Sequence, residues 1–497
     1  MIGKQLVLLA ALFMSFSSAK AEKVYDFNST CQQAYREITQ LKLTGGIALI
    51  EKAKQQNPDN LIPLMLENYV DFFVLFLNED PKEYEVRKPK FAKRIEALEQ
   101  GPQSSPFYKF CLSAVYLQRA AVAIKFTENW RAGWDLRKAY QLIKQNAKDF
   151  PTFAPNDMVY GGLQAIVSTI PSGYTFLAGL LGMKGSVSEG MKLVHSFAYS
   201  SDPYARLMSN ESAFLYCYLL FYIDNKRDDV FTFIQNKKLD LANNYLLAYM
   251  AANLALNNKQ TEYSKSIVTN RNKSPEYLTT GVWDYELGFA KLYHLEIQDA
   301  AQYFETYIAN FKGKFYVKDV YQKLSWCYYL QGNMQAAEAA RNNVLKKGST
   351  DSDADKQALK DAKSGVWPNA LLLKARLLND GGYNNDALGL LAGKNIGSFS
   401  KDEDKLEYTY RLARIYDDMH KDDDAIKAYQ SAITLGADRK EYYAARAAWQ
   451  IAQIYERQGK KAQAISYYEK CMNMPDHEYK NSLDQKAKSG IARCKGE

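Results

Sequence analysis

Side chains able to do acid–base, metal or nucleophilic chemistry are sparse in this 497-residue chain, and their spacing does not assemble a site. The four histidines, His195, His294, His420 and His477, are scattered, and none sits in an H-E-x-x-H pair that would put two imidazoles on one helix face. Asp351-x-Asp353-x-Asp355 has the carboxylate spacing that opens a calcium loop. Its sixth position is Lys356, where the sharp turn needs Gly, and its twelfth is Ala362, where a bidentate Glu closes the shell. A solvated acidic loop is the expectation there. Gly185-Ser186-Val187-Ser188-Glu189-Gly190 is one residue too long for a nucleophile elbow and has no strand before it. Six cysteines (Cys31, Cys111, Cys217, Cys327, Cys471, Cys494) offer no C-x-x-C. Cys31 with Cys111, or Cys471 with Cys494, could pair in an oxidising compartment. No phosphate loop or dinucleotide fingerprint is present. The sequence therefore predicts no catalytic residue, no metal and no cofactor, and a protein that is not an enzyme.

The elements that would position any site are helices. Only 13 Pro and 27 Gly occur over the whole length, and strand-like alternation bounded by hairpin turns is missing. With 47% apolar and 24% charged residues the chain is globular, and its length suits several domains or one long array. Residues 1–21 read as a secretory signal. Lys4 gives the basic start, Leu6 to Met14 an apolar run too short to span a bilayer, and Ala19-Lys20-Ala21 a cleavage site. The expected location is exported, periplasmic or secreted. Cleavage would lower the net charge from +8 to +6, too mild and diffuse to point to nucleic acid.

The second half is periodic. Leu412-Ala413-x-x-Tyr416, His420 and Ala425-x-x-x-Tyr429-x-x-Ala432 have the same offsets as Ile451-Ala452-x-x-Tyr455, Gly459 and Ala464-x-x-x-Tyr468-x-x-Cys471. Each unit predicts two amphipathic helices joined by a tight turn, with a small residue at the helix contact and a Tyr filling the gap. Weaker copies precede them at Ser325/Tyr328/Gly332/Ala337, Ala375/Leu378/Gly382/Ala387, Gly288/Ala300/Phe304 and Ala252/Ser264/Val268. The polar stretch from Lys346 to Ser364 interrupts the array as an inserted loop or a charged, exposed helix.

These units resemble the tetratricopeptide repeat. The resemblance implies an all-α helical-hairpin solenoid over residues 241–497, following an irregular helical region over 22–240. It also implies a non-enzymatic scaffold that holds a protein or peptide on the concave face of the array. Carrying the repeat frame over residue by residue makes Trp326, Tyr329, Tyr410, Arg414, Trp449 and Arg457 groove-facing partner-binding residues. The Lys/Asn/Arg set with which some of these proteins clamp chaperone tails is not matched.

In the first half, Tyr160-Gly161-Gly162-Leu163, Ile170-Pro171, Phe176 to Gly185 and Glu189-Gly190-Met191 resemble the central part of the inclusion-body-clearance family of tetratricopeptide proteins. That resemblance implies an all-helical first half and a scaffold role, with no catalytic residues. The apolar tract from Gly161 to Met183 is broken near its middle by Pro171 and Gly173, so neither half reaches the ~20 residues of a membrane span. A buried helical hairpin is the expectation. The competing functional classes are an enzyme with its site in the first half and a membrane-surface adaptor using this tract.

Overall fold

The computed structural model describes residues 22–169 and 183–495. The signal segment and residues 170–182 of the apolar tract lie outside the described residues. Among the described residues the regular structure is α-helical, apart from a 3-10 turn at Ile396–Ser398 and an isolated bridge between Val24 and Asn60. The chain divides into two compact units. The first runs to Ala251 and takes in Asn270–Val282 and Phe311–Lys314; the second comprises Ala252–Thr269, Trp283–Asn310 and Phe315–Glu497.

Helix starts in the first unit follow from capping chemistry. Pro81, Pro106 and Pro203 occupy first-turn positions, where a missing N–H is harmless, and Asp80, Ser105 and Asp202 accept from the orphan N–H groups beside them. The core is aromatic. Phe27, Tyr35, Phe107, Phe110 and Phe153 meet edge to face with centroids 4.9 to 6.3 Å apart. Within it the buried Glu211 carboxyl accepts from the Tyr35 hydroxyl and, at 2.9 Å, from that of Tyr69; burial raises its pKa against both hydrogen bonds. The helices Pro155–Ser168 and Val187–Tyr199 cross with no room for side chains. A Cβ on Gly161 would lie 2.8 Å from the Gly190 carbonyl oxygen, and one on Gly190 2.5 Å from that of Gly161.

The second unit is built from helical hairpins in one register. Counting from the small residue of each first helix (Ala252, Gly288, Ser325, Ala375, Ala413, Ala452), the residue seven positions on turns the chain. That residue is Lys259, Leu295, Gly332, Gly382, His420 or Gly459, each left-handed with φ between 55° and 87°. The next N–H closes back onto the carbonyl five residues earlier, as in Lys460 to Tyr455 or Lys421 to Tyr416, which satisfies the frayed carbonyls of the first helix. Twelve positions on from the small residue come Ser264, Ala300, Ala337, Ala387, Ala425 and Ala464, all fully buried where the two helices meet. In three of the hairpins a ring four residues later (Phe304, Tyr429, Tyr468) fills the remaining gap; the others carry Val268, Arg341 and Leu391 there. Tyr429 and Tyr468 are wholly inside, and a Cβ on Gly288 would be 2.6 Å from the Phe304 ring. The helix Lys480–Lys495 closes the array, with Gly490 seated on Tyr468.

The polar stretch forms a charged helix, one of its two expected forms, but the solvated acidic loop expected at Asp351 to Asp355 is not what forms. Asp351 and Asp353 are exposed, but Ser352 caps a helix over Asp353–Ser364, and Asp355 is completely buried. Its carboxylate accepts from the N–H groups of Tyr316 at 2.7 Å and Asp319 at 3.1 Å, and from the Ser352 hydroxyl at 2.7 Å. The acid is thus a borrowed cap for the helix Val317–Leu330 rather than a solvated loop residue, because that helix starts at a left-handed Tyr316 that cannot cap it. All six cysteines are buried free thiols, so neither candidate pair is bridged.

Candidate binding groove

The first helices of successive hairpins in the second unit line one concave groove with a volume of about 880 Å³. Its lining mixes aromatic rings with cations. Tyr410, Tyr442 and Tyr443 form one cluster with centroids 4.5 to 6.0 Å apart. The Arg411 guanidinium lies 5.7 Å from the Tyr410 ring and 5.6 Å from that of Tyr443. Two cations lie against Trp326: Lys323, 4.5 Å from its ring centre, and Arg376 at 5.4 Å.

Polar pairs fix most of these side chains. Arg411 donates from Nε and Nη2 to Glu407 Oε1 at 3.0 and 2.8 Å, Arg376 Nε reaches Asp380 at 3.4 Å, and Lys259 pairs with Asp418. Burial works against the charge of Asp380. The fields of Arg376, Arg414, Arg411 and Lys259 outweigh it and hold the carboxyl below its ordinary value. Burial, and then repulsion from Arg414, pushes the Lys259 ammonium down. Four cations therefore crowd around Asp380 on the groove floor, where Asp418 and Glu407 are the other acids among them. The nearby wall also contains Asn253, which donates at 2.9 Å to Glu286; that carboxyl is buried, and burial lifts its pKa to about 7.

Three of the six residues expected from sequence line this groove: Trp326, Tyr410 and Arg414. Trp326 is 7% exposed and Tyr410 1% exposed, so their rings are wall rather than projecting anchors. Tyr329, Trp449 and Arg457 lie outside the lining. Tyr329 stacks on Trp367 at 4.9 Å and donates to the Pro368 carbonyl. Arg457 binds Asp422 at 2.9 Å and Asp417 at 3.2 Å, and Trp449 packs beneath Arg446 and Lys486. Register explains the difference. Tyr329 and Arg457, four and five positions beyond the small residue, face the neighbouring hairpin and are held there. Lining residues cluster before the small residue (Asp319, Glu407 and Arg446, all six before it) or one after it (Trp326, Arg376, Arg414). Arg376 was overlooked although it shares the register of Trp326 and Arg414; the degenerate copy at Ala375 held the signal.

The sequence model of the tetratricopeptide repeat matches residues 445–476, which take in nearly all of the hairpin Tyr443–Arg457 and Lys461–Asn473 and the three residues after it. The shared register makes the preceding hairpins structural copies of it. Among solved structures, the chain is similar to the TPR domain of P58(IPK), at 14% identity and a TM-score of 0.23, covering 84% of this chain and 95% of that one. It is also similar to the Cut9-Hcn1 hetero-tetramer of APC/C, at 13% identity and a TM-score of 0.28, covering 91% and 95%. No curated protein matches the sequence. Among the described residues no group of three or more His, Cys, Asp or Glu is placed to hold a metal, and no helix is long and apolar enough to cross a membrane.

Proposed function

We propose that the chain is an exported, non-enzymatic scaffold that holds a segment of a partner protein in the groove of its tetratricopeptide array. One observation carries this: the groove is long, concave and lined by tyrosines, tryptophans and arginines, the side chains that concentrate binding energy at protein interfaces. The tetratricopeptide fold, whose hairpins stack into extended concave surfaces, supports the same reading. The resemblance of the Tyr160 to Leu193 segment to the inclusion-body-clearance proteins points the same way. Export rests on the signal-like sequence of residues 1–21.

The test is site-specific photocrosslinking in the native host. A benzoylphenylalanine at Tyr479, an exposed ring on the groove, should give a discrete adduct, whereas one at the more exposed Val86 of the first unit should not. Identical adducts from both positions, or none from Tyr479, would remove the groove as the binding surface. Mass spectrometry of the same material should find a mature chain beginning at Glu22; an intact Met1 would refute export by this signal.

A further inference from the structure

Two indoles of the first unit stand in the open. Trp130 is 70% exposed and Trp134 56%, both on the helix Asn129–Asp149. Rings of that size belong inside unless something outside the chain covers them. From Trp130 the sequence steps by four and three residues through Trp134, Arg137, Gln141, Lys144 and Lys148, which places all six on one helix face. Arg137 is half-buried and the rest are exposed, as is Lys138 at the edge of the stripe. Ala132, Ala139 and Ile143 are buried on the opposite side. The acids of this helix and its start are already engaged. Asp135 is buried and holds Arg119 at 2.6 Å, Glu128 pairs with Lys88 and Arg131, and Asp149 pairs with Lys109. Among the described residues Arg137, Lys138 and Lys144 make no ion pair. Arg137 instead lies 5.7 Å from the Trp134 ring, and Lys144 5.9 Å from that of Tyr140.

Exposed indoles followed by uncompensated cations narrow the occupant. A second copy presenting the same face would set cation against cation. A nucleic acid strand needs a channel that tracks its backbone, and an exposed helix face offers none. A bilayer with anionic headgroups asks for no shape at all. Indoles settle at the headgroup level with their rings in the apolar boundary, and the long stems of Lys and Arg carry their charges to the phosphates. We propose that the Trp130/Trp134 face of the helix Asn129–Asp149 rests on an anionic phospholipid surface, with Arg137, Lys138 and Lys144 against the headgroups. This site lies wholly in the first unit and does not depend on the groove of the second, so the two readings stand or fall separately.

Vesicle flotation of the full mature chain tests it, with vesicles of phosphatidylcholine alone and of phosphatidylcholine mixed with phosphatidylglycerol. The mixed vesicles should bind at least about tenfold tighter, since each Lys or Arg at an anionic surface is worth roughly a factor of five. Added salt should narrow that gap. The double variant Trp130→Ala/Trp134→Ala should weaken binding to the mixed vesicles at least about tenfold, because both rings leave the apolar boundary. Its circular dichroism melt should match the parent's, as both rings are exposed. Arg137→Gln/Lys138→Gln should remove most of the preference for the mixed vesicles. Phosphatidylglycerol brominated along its acyl chains should quench part of the parent's tryptophan fluorescence, and that part should vanish in the double tryptophan variant. No flotation with the mixed vesicles, equal binding to both compositions, or undiminished binding by the double tryptophan variant would each overturn the proposal. Tighter binding of single-stranded DNA than of the mixed vesicles would overturn it in favour of a nucleic acid.

Discussion

Glu286 offers the sharpest test of the packing in the second unit. Its side chain is 1% exposed, Asn253 donates to Oε1 at 2.9 Å, and Oε2 has no partner. Burial is the dominant influence and lifts its pKa from 4.5 to about 7, against the pull of the Asn253 hydrogen bond. In the unfolded chain the group titrates near its ordinary value, so the folded protein binds the proton more tightly throughout the interval between the two. Its contribution to stability is fully present below the unfolded value and is lost as the pH rises through the folded one. At 1.36 kcal/mol per unit, this one group should make the second unit about 2.5 kcal/mol less stable at pH 8 than at pH 5. Glu286→Gln cannot titrate and should remove that slope. Its amide leaves one donor pair poorly served, at a cost of about 1–3 kcal/mol, but this offset is independent of pH. The assay is hydrogen exchange across the helix Val282–Tyr293, corrected for intrinsic rate, in urea series at several pH values. Parallel curves for the two proteins would refute the reasoning, because they would mean that Glu286 keeps its ordinary pKa inside the fold.

Three further outcomes are expected. Gly288→Ala should destabilise its own hairpin by about 1–3 kcal/mol, since the new methyl meets the Phe304 ring and overpacking outweighs the gain in helix propensity; hydrogen exchange should show the loss confined to that hairpin and its neighbours. His420→Gly should stabilise the chain by up to about 1 kcal/mol in urea unfolding, because His420 is left-handed where Gly459 stands in the next copy. Trp326→Ala should cost about 3–5 kcal/mol in thermal or urea unfolding, as expected for a ring that is 7% exposed and packed against Lys323 and Arg376; a variant that stays as stable as the parent would put the ring back among the exposed anchors.

The helical class and the register of the hairpins were legible because both are periodic. Ala413 and Ala452 set a frame that reached back through Ala375, Ser325 and Gly288 to Ala252. Repeat logic locates what every copy shares, and the turn at Gly459 or His420 is shared. It fails where copies differ. Asp355 looked like a solvated acid because its neighbours are polar, and only the fold brings it to the start of a helix nearly forty residues earlier in the sequence. Arg457 looked groove-facing because a single helix does not reveal that Asp417 and Asp422 of the preceding hairpin are within reach. The surplus charge around Asp380 is likewise invisible in sequence, since Lys259, Arg376, Arg411 and Arg414 come from three different hairpins.

The helix Asp353–Ser364 belongs to no repeat, yet Ala354, Gln357, Asp361 and Ala362 from it line the groove opposite Tyr316 and Trp326. Here one extra helix, latched by Asp355, adds its own residues to a wall that the repeats otherwise build. Excising those twelve residues would remove that stretch of wall and also uncap the helix Val317–Leu330, so the shape of the groove and the stability of the array are tied to the same carboxylate.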